Sequence, residues 1–176
     1  MRLLSVITFT LLLAICCAAQ NYVKVGSQAP TFSASAIDGT SVDMTSLRGK
    51  VVIITFWSTR CEICRSEIPR LNAFKNRYAG RDVEFLALTM ENSDRVQPFL
   101  KSNPFAFQIV PNSFDMVLKY ADRDRQGVID MGFPSYFLID ASGDVAYRSS
   151  GWDKITELDE RIEKLLSARS VGSNSH

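Results

Sequence analysis

The sequence predicts an α/β chain built around a buried sheet with at least one parallel strand–helix–strand unit. Three observations predict it. Val51–Phe56 is a six-residue run, rich in β-branched side chains and apolar on both faces, as a central strand requires. Residues 64–78 follow with helical spacing, and Ile68, Leu71, Phe74 and Tyr78 share one face. Val83–Leu88 is a second apolar run of strand length. Strand, helix and strand in that order join as a right-handed crossover between parallel neighbours.

The other elements fall on either side of this unit. Residues 26–32 are expected to open a strand, and Asp38-Gly39-Thr40 turns it into a partner near Ser41 and Val42. Leu47-Arg48-Gly49-Lys50 is a tight approach to Val51. Beyond the second run, residues 94–103 read as a helix with Val96, Phe99 and Leu100 on one side, stopped by Pro104. Residues 107–110 suit a short strand, and 113–121 a helix capped by Ser113. Residues 122–131 are charged and irregular. Ser135–Ile139 is a further buried strand, turned by Asp140-Ala141-Ser142-Gly143-Asp144 into one beginning at Val145. Ile155, Leu158, Ile162, Leu165 and Leu166 form the stripe of a closing helix, and 171–176 read as a frayed tail.

Composition narrows the class of protein. Hydrophobic residues at 46% and charged residues at 22% suit one globular domain, and a net charge of +1 gives nucleic acid nothing to hold. The start of the chain reads differently. Arg2, the apolar stretch 3–17 and the small residues Ala18 and Ala19 have the layout of a cleaved export signal, residues 1–19. The alternatives are an uncleaved anchor or a lipid on Cys16 or Cys17, neither of which follows a small residue. Cleavage would leave a single domain over 20–176 in which Cys61 and Cys64 are the only cysteines. The expected location is extracytoplasmic, most simply a bacterial periplasm.

Those two cysteines carry the chemistry. They stand two residues apart, where the Val51 strand ends and the next helix begins. A helix N-terminus offers unpaired N–H groups and partial positive charge, which favour a thiolate. A bridge this short constrains the unfolded chain little, so the pair serves exchange with other disulfides rather than stability. Zinc is the competing use, but it needs about four ligands and the only histidine is His176. No metal or cofactor is expected.

Joined to Gly132-Phe133-Pro134 before a strand and hairpin, the pair gives the chain a resemblance to thioredoxin-fold proteins. More narrowly it resembles the TlpA/ResA-like extracytoplasmic thiol–disulfide oxidoreductases, over about residues 26–166. The motifs that carry the resemblance are Gly26…Ala29-Pro30…Phe32, Phe56-Trp57-Ser58-Thr59 before the cysteines, and Gly132 through Asp140. It implies a three-layer α/β/α sandwich with a mixed central sheet, an N-terminal β-hairpin and an inserted helix and strand in residues 91–110. It also implies roles. Cys61 attacks as thiolate and Cys64 resolves the mixed disulfide. Pro134 is cis, presenting the backbone of Phe133 to an extended substrate. Glu67, three residues after Cys64, matches an active-site glutamate of the ResA-like branch. A plain solvent-facing residue in Arg65-Ser66-Glu67 is its other reading. Thioredoxin itself carries its buried acid in the preceding strand, where this chain has Thr55. Trp57 is placed beside the site and Arg60 next to Cys61, where relatives usually have tryptophan. Glu62 sets a negative charge beside Cys61, and Pro69 kinks the helix.

The function so implied is reduction of disulfides in exported proteins, with cytochrome c maturation as a setting and a membrane thiol-transfer protein as electron donor. The domain is expected to act as a monomer. Two alternatives stand beside it. A peroxiredoxin-like thiol peroxidase would want a proline ahead of the reactive cysteine, and none lies between Gly49 and Cys61. A copper(I) metallochaperone would use the soft thiolates with a distant histidine, which the chain does not supply.

Overall fold

The computed structural model describes residues 23–173. The expected export segment at 1–19 therefore lies outside the described residues, as do the last three. Strand β3 (Val51–Phe56) is buried at every position, as its two apolar faces predict. It pairs in parallel with β4 (Val83–Leu88) and antiparallel with β8 (Ser135–Ile139). Strand β5 (Gln108–Val110) adds in parallel to β4, and β9 (Val145–Ser150) runs antiparallel to β8. The sheet order is β5-β4-β3-β8-β9, mixed in direction.

Because alternate residues of a strand face opposite ways, β3 feeds two cores. Val51, Ile53 and Trp57 pack with α1 (Glu62–Arg77), α2 (Ser93–Ser102) and α4 (Ile155–Ser173). Val52, Ile54 and Phe56 pack with Met116, Val117 and Tyr120 of α3 (Phe114–Tyr120) and with the N-terminal lead. These are the three layers expected. Truncating Ile54, fully buried in the second core, would cost about 2–5 kcal/mol. The insertion after β4 supplies α2 and β5, where the sequence places extra structure.

The departures have local causes. The first strand begins later than residue 26. Gly26 takes a left-handed backbone, Pro30 has no N–H to give a ladder, and Gln28 makes one isolated bridge to Asp144. Pairing starts at β1 (Ser33–Ser35) with β2 (Ser41–Asp43), around a turn in which the Asp38 carboxylate accepts from Thr40. Residues 122–131 are not irregular throughout. Strands β6 (Asp122–Arg123) and β7 (Ile129–Asp130) pair there, too short to show a period, with Asp122 held by Arg148. Ser113 is the residue before α3, yet its hydroxyl donates to Val110 O at 2.8 Å instead of capping. Helix α4 runs through Ser173, past the point where a frayed tail was expected.

Candidate active site

Trp57 follows β3 directly, and its N–H continues the ladder to Leu88 O. The chain then turns through Ser58–Arg60 into α1, with Cys61 as its N-cap. The Cys64 N–H points at Cys61 Sγ from 3.1 Å, so a free amide of the first helical turn is aimed at the sulfur that would carry negative charge. Cys61 and Cys64 are joined as a disulfide. Cys64 is 3% exposed and faces the core, whereas Cys61 is only partly covered. That difference leaves Cys61 the more accessible sulfur of the pair.

The loop before β8 closes the other side. The Phe133–Pro134 peptide is cis, as expected, and the Phe133 carbonyl oxygen lies 3.6 Å from Cys61 Sγ. Pro134 O in turn accepts from Gly151 N–H at 2.8 Å. Two residues on, Asp153 adopts a left-handed backbone with φ of 59°, unusual for a residue with a side chain. That conformation turns its N–H onto Glu67.

Glu67 is not the solvent-facing residue that its polar neighbours allowed. It is fully buried, one helical turn beyond Cys64 on the same face of α1. One carboxylate oxygen accepts from the Tyr136 hydroxyl and the other from Asp153 N–H, each at 2.7 Å. Burial, and then the hydrogen bond to Glu67, push the Tyr136 phenol well above its ordinary range, so it stays a donor.

Two other expectations change or sharpen. Trp57 is 1% exposed, with its ring against Phe99 and Phe105, both at 5.5 Å. It is packed beneath the site and offers a substrate no surface, because the inserted segment covers it. Arg60 is exposed beside Cys61 and makes no ion pair among the described residues. Glu62, beside Cys61, is also exposed and lies 3.9 Å from Arg65.

Glu91 escaped the sequence reading altogether. Its carboxylate accepts the backbone N–H and the hydroxyl of Thr59, both at 2.7 Å, and also meets Arg95 and Thr89. Burial is the largest influence and opposes its charge, but the bonds from Thr59, Arg95 and Thr89 together outweigh it and hold Glu91 below the usual carboxylate range. Glu91 and Thr59 are 32 residues apart, and no local spacing announces the contact.

The comparisons with known proteins agree with this geometry. A model of the Redoxin family matches residues 24–166. The chain belongs to the Redoxin family. It is 28% identical over 147 residues to the thiol-disulfide oxidoreductase ResA of Bacillus thuringiensis, covering 83% of this chain and 81% of that protein. To ResA of Geobacillus thermodenitrificans it is 33% identical over 144 residues, covering 81% and 79%. The crystal structure of a thiol:disulfide interchange protein of the thioredoxin family from Chlorobium tepidum matches with a TM-score of 0.68 and 27% identity. That match covers 82% of this chain and 98% of the other. This Redoxin-family chain is thus a thioredoxin-like, TlpA/ResA-like thiol–disulfide oxidoreductase, and Cys61 and Cys64 are its exchanging pair.

Proposed function

We propose that the protein works outside the cytoplasm as a reductant of disulfides in exported proteins, in a setting such as cytochrome c maturation. The observation that carries this reading is the pairing of a resolving cysteine, Cys64, with a buried carboxylate, Glu67, on one face of α1. The Cys61 thiolate, favoured by the Cys64 N–H, attacks one sulfur of the substrate disulfide and expels the other as a thiolate. The Cys64 thiol then gives up its proton and attacks Cys61 Sγ. The substrate leaves as a dithiol and the Cys61–Cys64 disulfide remains. In this reading Glu67, buried one helical turn beyond Cys64, takes the Cys64 proton, and Tyr136 and Asp153 fix where its oxygens sit.

Phe133, beside Cys61, supplies the backbone along which an extended substrate segment would lie, with Pro134 shaping the turn and Arg60 at the rim. A membrane thiol-transfer protein would restore the dithiol, with the domain acting as a monomer. No helix among the described residues is long and apolar enough to cross a membrane. The test is the reduction potential of the pair in glutathione buffers. A value well below about −200 mV supports a reductant, and one near about −120 mV would make the protein a disulfide donor and overturn the proposal.

A further inference from the structure

Thr55 Oγ1 is buried without a hydrogen-bond partner among the described residues, in a residue that is 1% exposed. A lone buried hydroxyl costs folding stability, and valine would fill nearly the same space without that cost. The position of Thr55 shows what it faces. Its neighbours two residues away on β3, Ile53 and Trp57, belong to the core beneath α1, so Thr55 points to that side. Its cross-strand partners, Ala87 and Tyr136, lie in the same core. Cys64 and Ile68, from the first turns of α1, belong to that same core, and Glu67 beside them is held by Tyr136.

The other polar groups of this layer are mostly engaged. The Tyr136 hydroxyl and Glu67 hold each other, and the second oxygen of Glu67 is taken by Asp153 N–H. Trp57 Nε1 also lacks a partner, but its ring is held by Phe99 and Phe105 of the insertion. The remaining group is Cys64 sulfur, which the disulfide ties to Cys61. A sulfur in a disulfide is a poor acceptor; a thiol sulfur freed from the bond accepts weakly, and it accepts strongly once it loses its proton.

We propose that Thr55 is a redox-linked partner of the resolving cysteine: its hydroxyl, unmatched in the disulfide, donates to Cys64 sulfur once the pair is reduced. When the bond opens, the two sulfurs part to van der Waals distance. Cys61 stays on the open side by Phe133, and Cys64 settles toward the sheet. The hydroxyl then gains a bond that it lacks in the oxidised protein, which tilts the equilibrium toward the dithiol. This requires only that the pair cycles between its two states, whichever way electrons flow in the cell.

The test uses Thr55→Val and Thr55→Ser, each equilibrated with reduced and oxidised glutathione, where two glutathione thiols become one disulfide as the protein disulfide becomes a dithiol. Thr55→Val is expected to shift the equilibrium about tenfold toward the protein disulfide, about 30 mV for this two-electron couple. It should raise the melting temperature of the oxidised form and lower that of the reduced form. Thr55→Ser keeps the hydroxyl and is expected to stay within about twofold of the parent. Equal changes in both redox forms with an unmoved equilibrium would overturn the proposal, as would a serine variant that behaves like valine. The absolute potential of the parent tests the reductant reading, whereas the difference between variants tests Thr55, so either can fail alone.

Discussion

Glu91 holds Thr59 by both its backbone N–H and its hydroxyl, two residues before Cys61. The turn that leads into the dithiol is thereby tied to the stretch that begins the insertion. The approach to Cys61 is fixed from outside its own strand and helix.

Breaking that clasp has a measurable signature. Glu91→Ala leaves the Thr59 N–H without its acceptor and should cost about 1–3 kcal/mol in denaturant unfolding. The pH dependence has a definite sign. Glu91 is held below its ordinary range in the folded state, so the unfolded chain binds protons more readily. Its contribution is present above the unfolded value of about 4.3 and is lost as pH falls through the folded one. A Glu91→Gln variant should lack this component of acid sensitivity when melting temperature is followed against pH.

Glu67→Gln keeps the size of the side chain and removes the proton acceptor. Attack by Cys61 should proceed at nearly its normal rate, while resolution by Cys64 slows about 100-fold. Rapid-quench capture of the mixed disulfide separates the two steps, and equal slowing of both would contradict the assigned role.

Tyr136→Phe deletes the hydroxyl that Glu67 accepts and leaves a buried carboxylate with Asp153 N–H alone. A loss of about 1–3 kcal/mol in unfolding free energy is expected. The variant should also slow resolution more than attack, by the same rapid-quench measurement.

Cys64→Ser should accumulate a covalent adduct between Cys61 and a disulfide-bearing peptide, visible by mass spectrometry under non-reducing conditions. Cys61→Ser should give none, because Cys64 is 3% exposed. An adduct at Cys64 in that variant would reverse the assignment of attacker and resolver.

Trp57→Ala should cost about 3–5 kcal/mol, as expected for a buried aromatic seated against Phe99 and Phe105. Trp57→Phe should retain most of the stability and exchange peptide disulfides at nearly the parental rate. A large loss of rate in that folded variant would return Trp57 to a role in substrate contact.

The sequence made some features plain for physical reasons. Strands β3, β4 and β8 run over the very spans expected, because a strand buried on both faces must be a bounded apolar run. The cysteine pair and Pro134 were legible as motifs, and the hairpin turn at Asp38-Gly39-Thr40 as local turn chemistry. What was hidden depends on contacts distant in sequence. The donors to Glu67 come from 69 and 86 positions away, so only its spacing from Cys64 and the family resemblance singled it out from an exposed glutamate. Strands β6 and β7 have two residues each, too few to display alternation. The shielding of Trp57 required knowing that the insertion folds over it.

The turn at Gly151–Asp153 touches the site twice, through Pro134 O and through Glu67. Its role bears on anyone who would transplant this chemistry. A peptide cut from residues 57–64 would carry both cysteines and the start of a helix. It would leave behind the carboxylate, its two donors and the proline loop, which belong to three other stretches of chain. Copying the motif into a foreign scaffold would transfer an ordinary dithiol, because the working unit is defined by the meeting of distant segments.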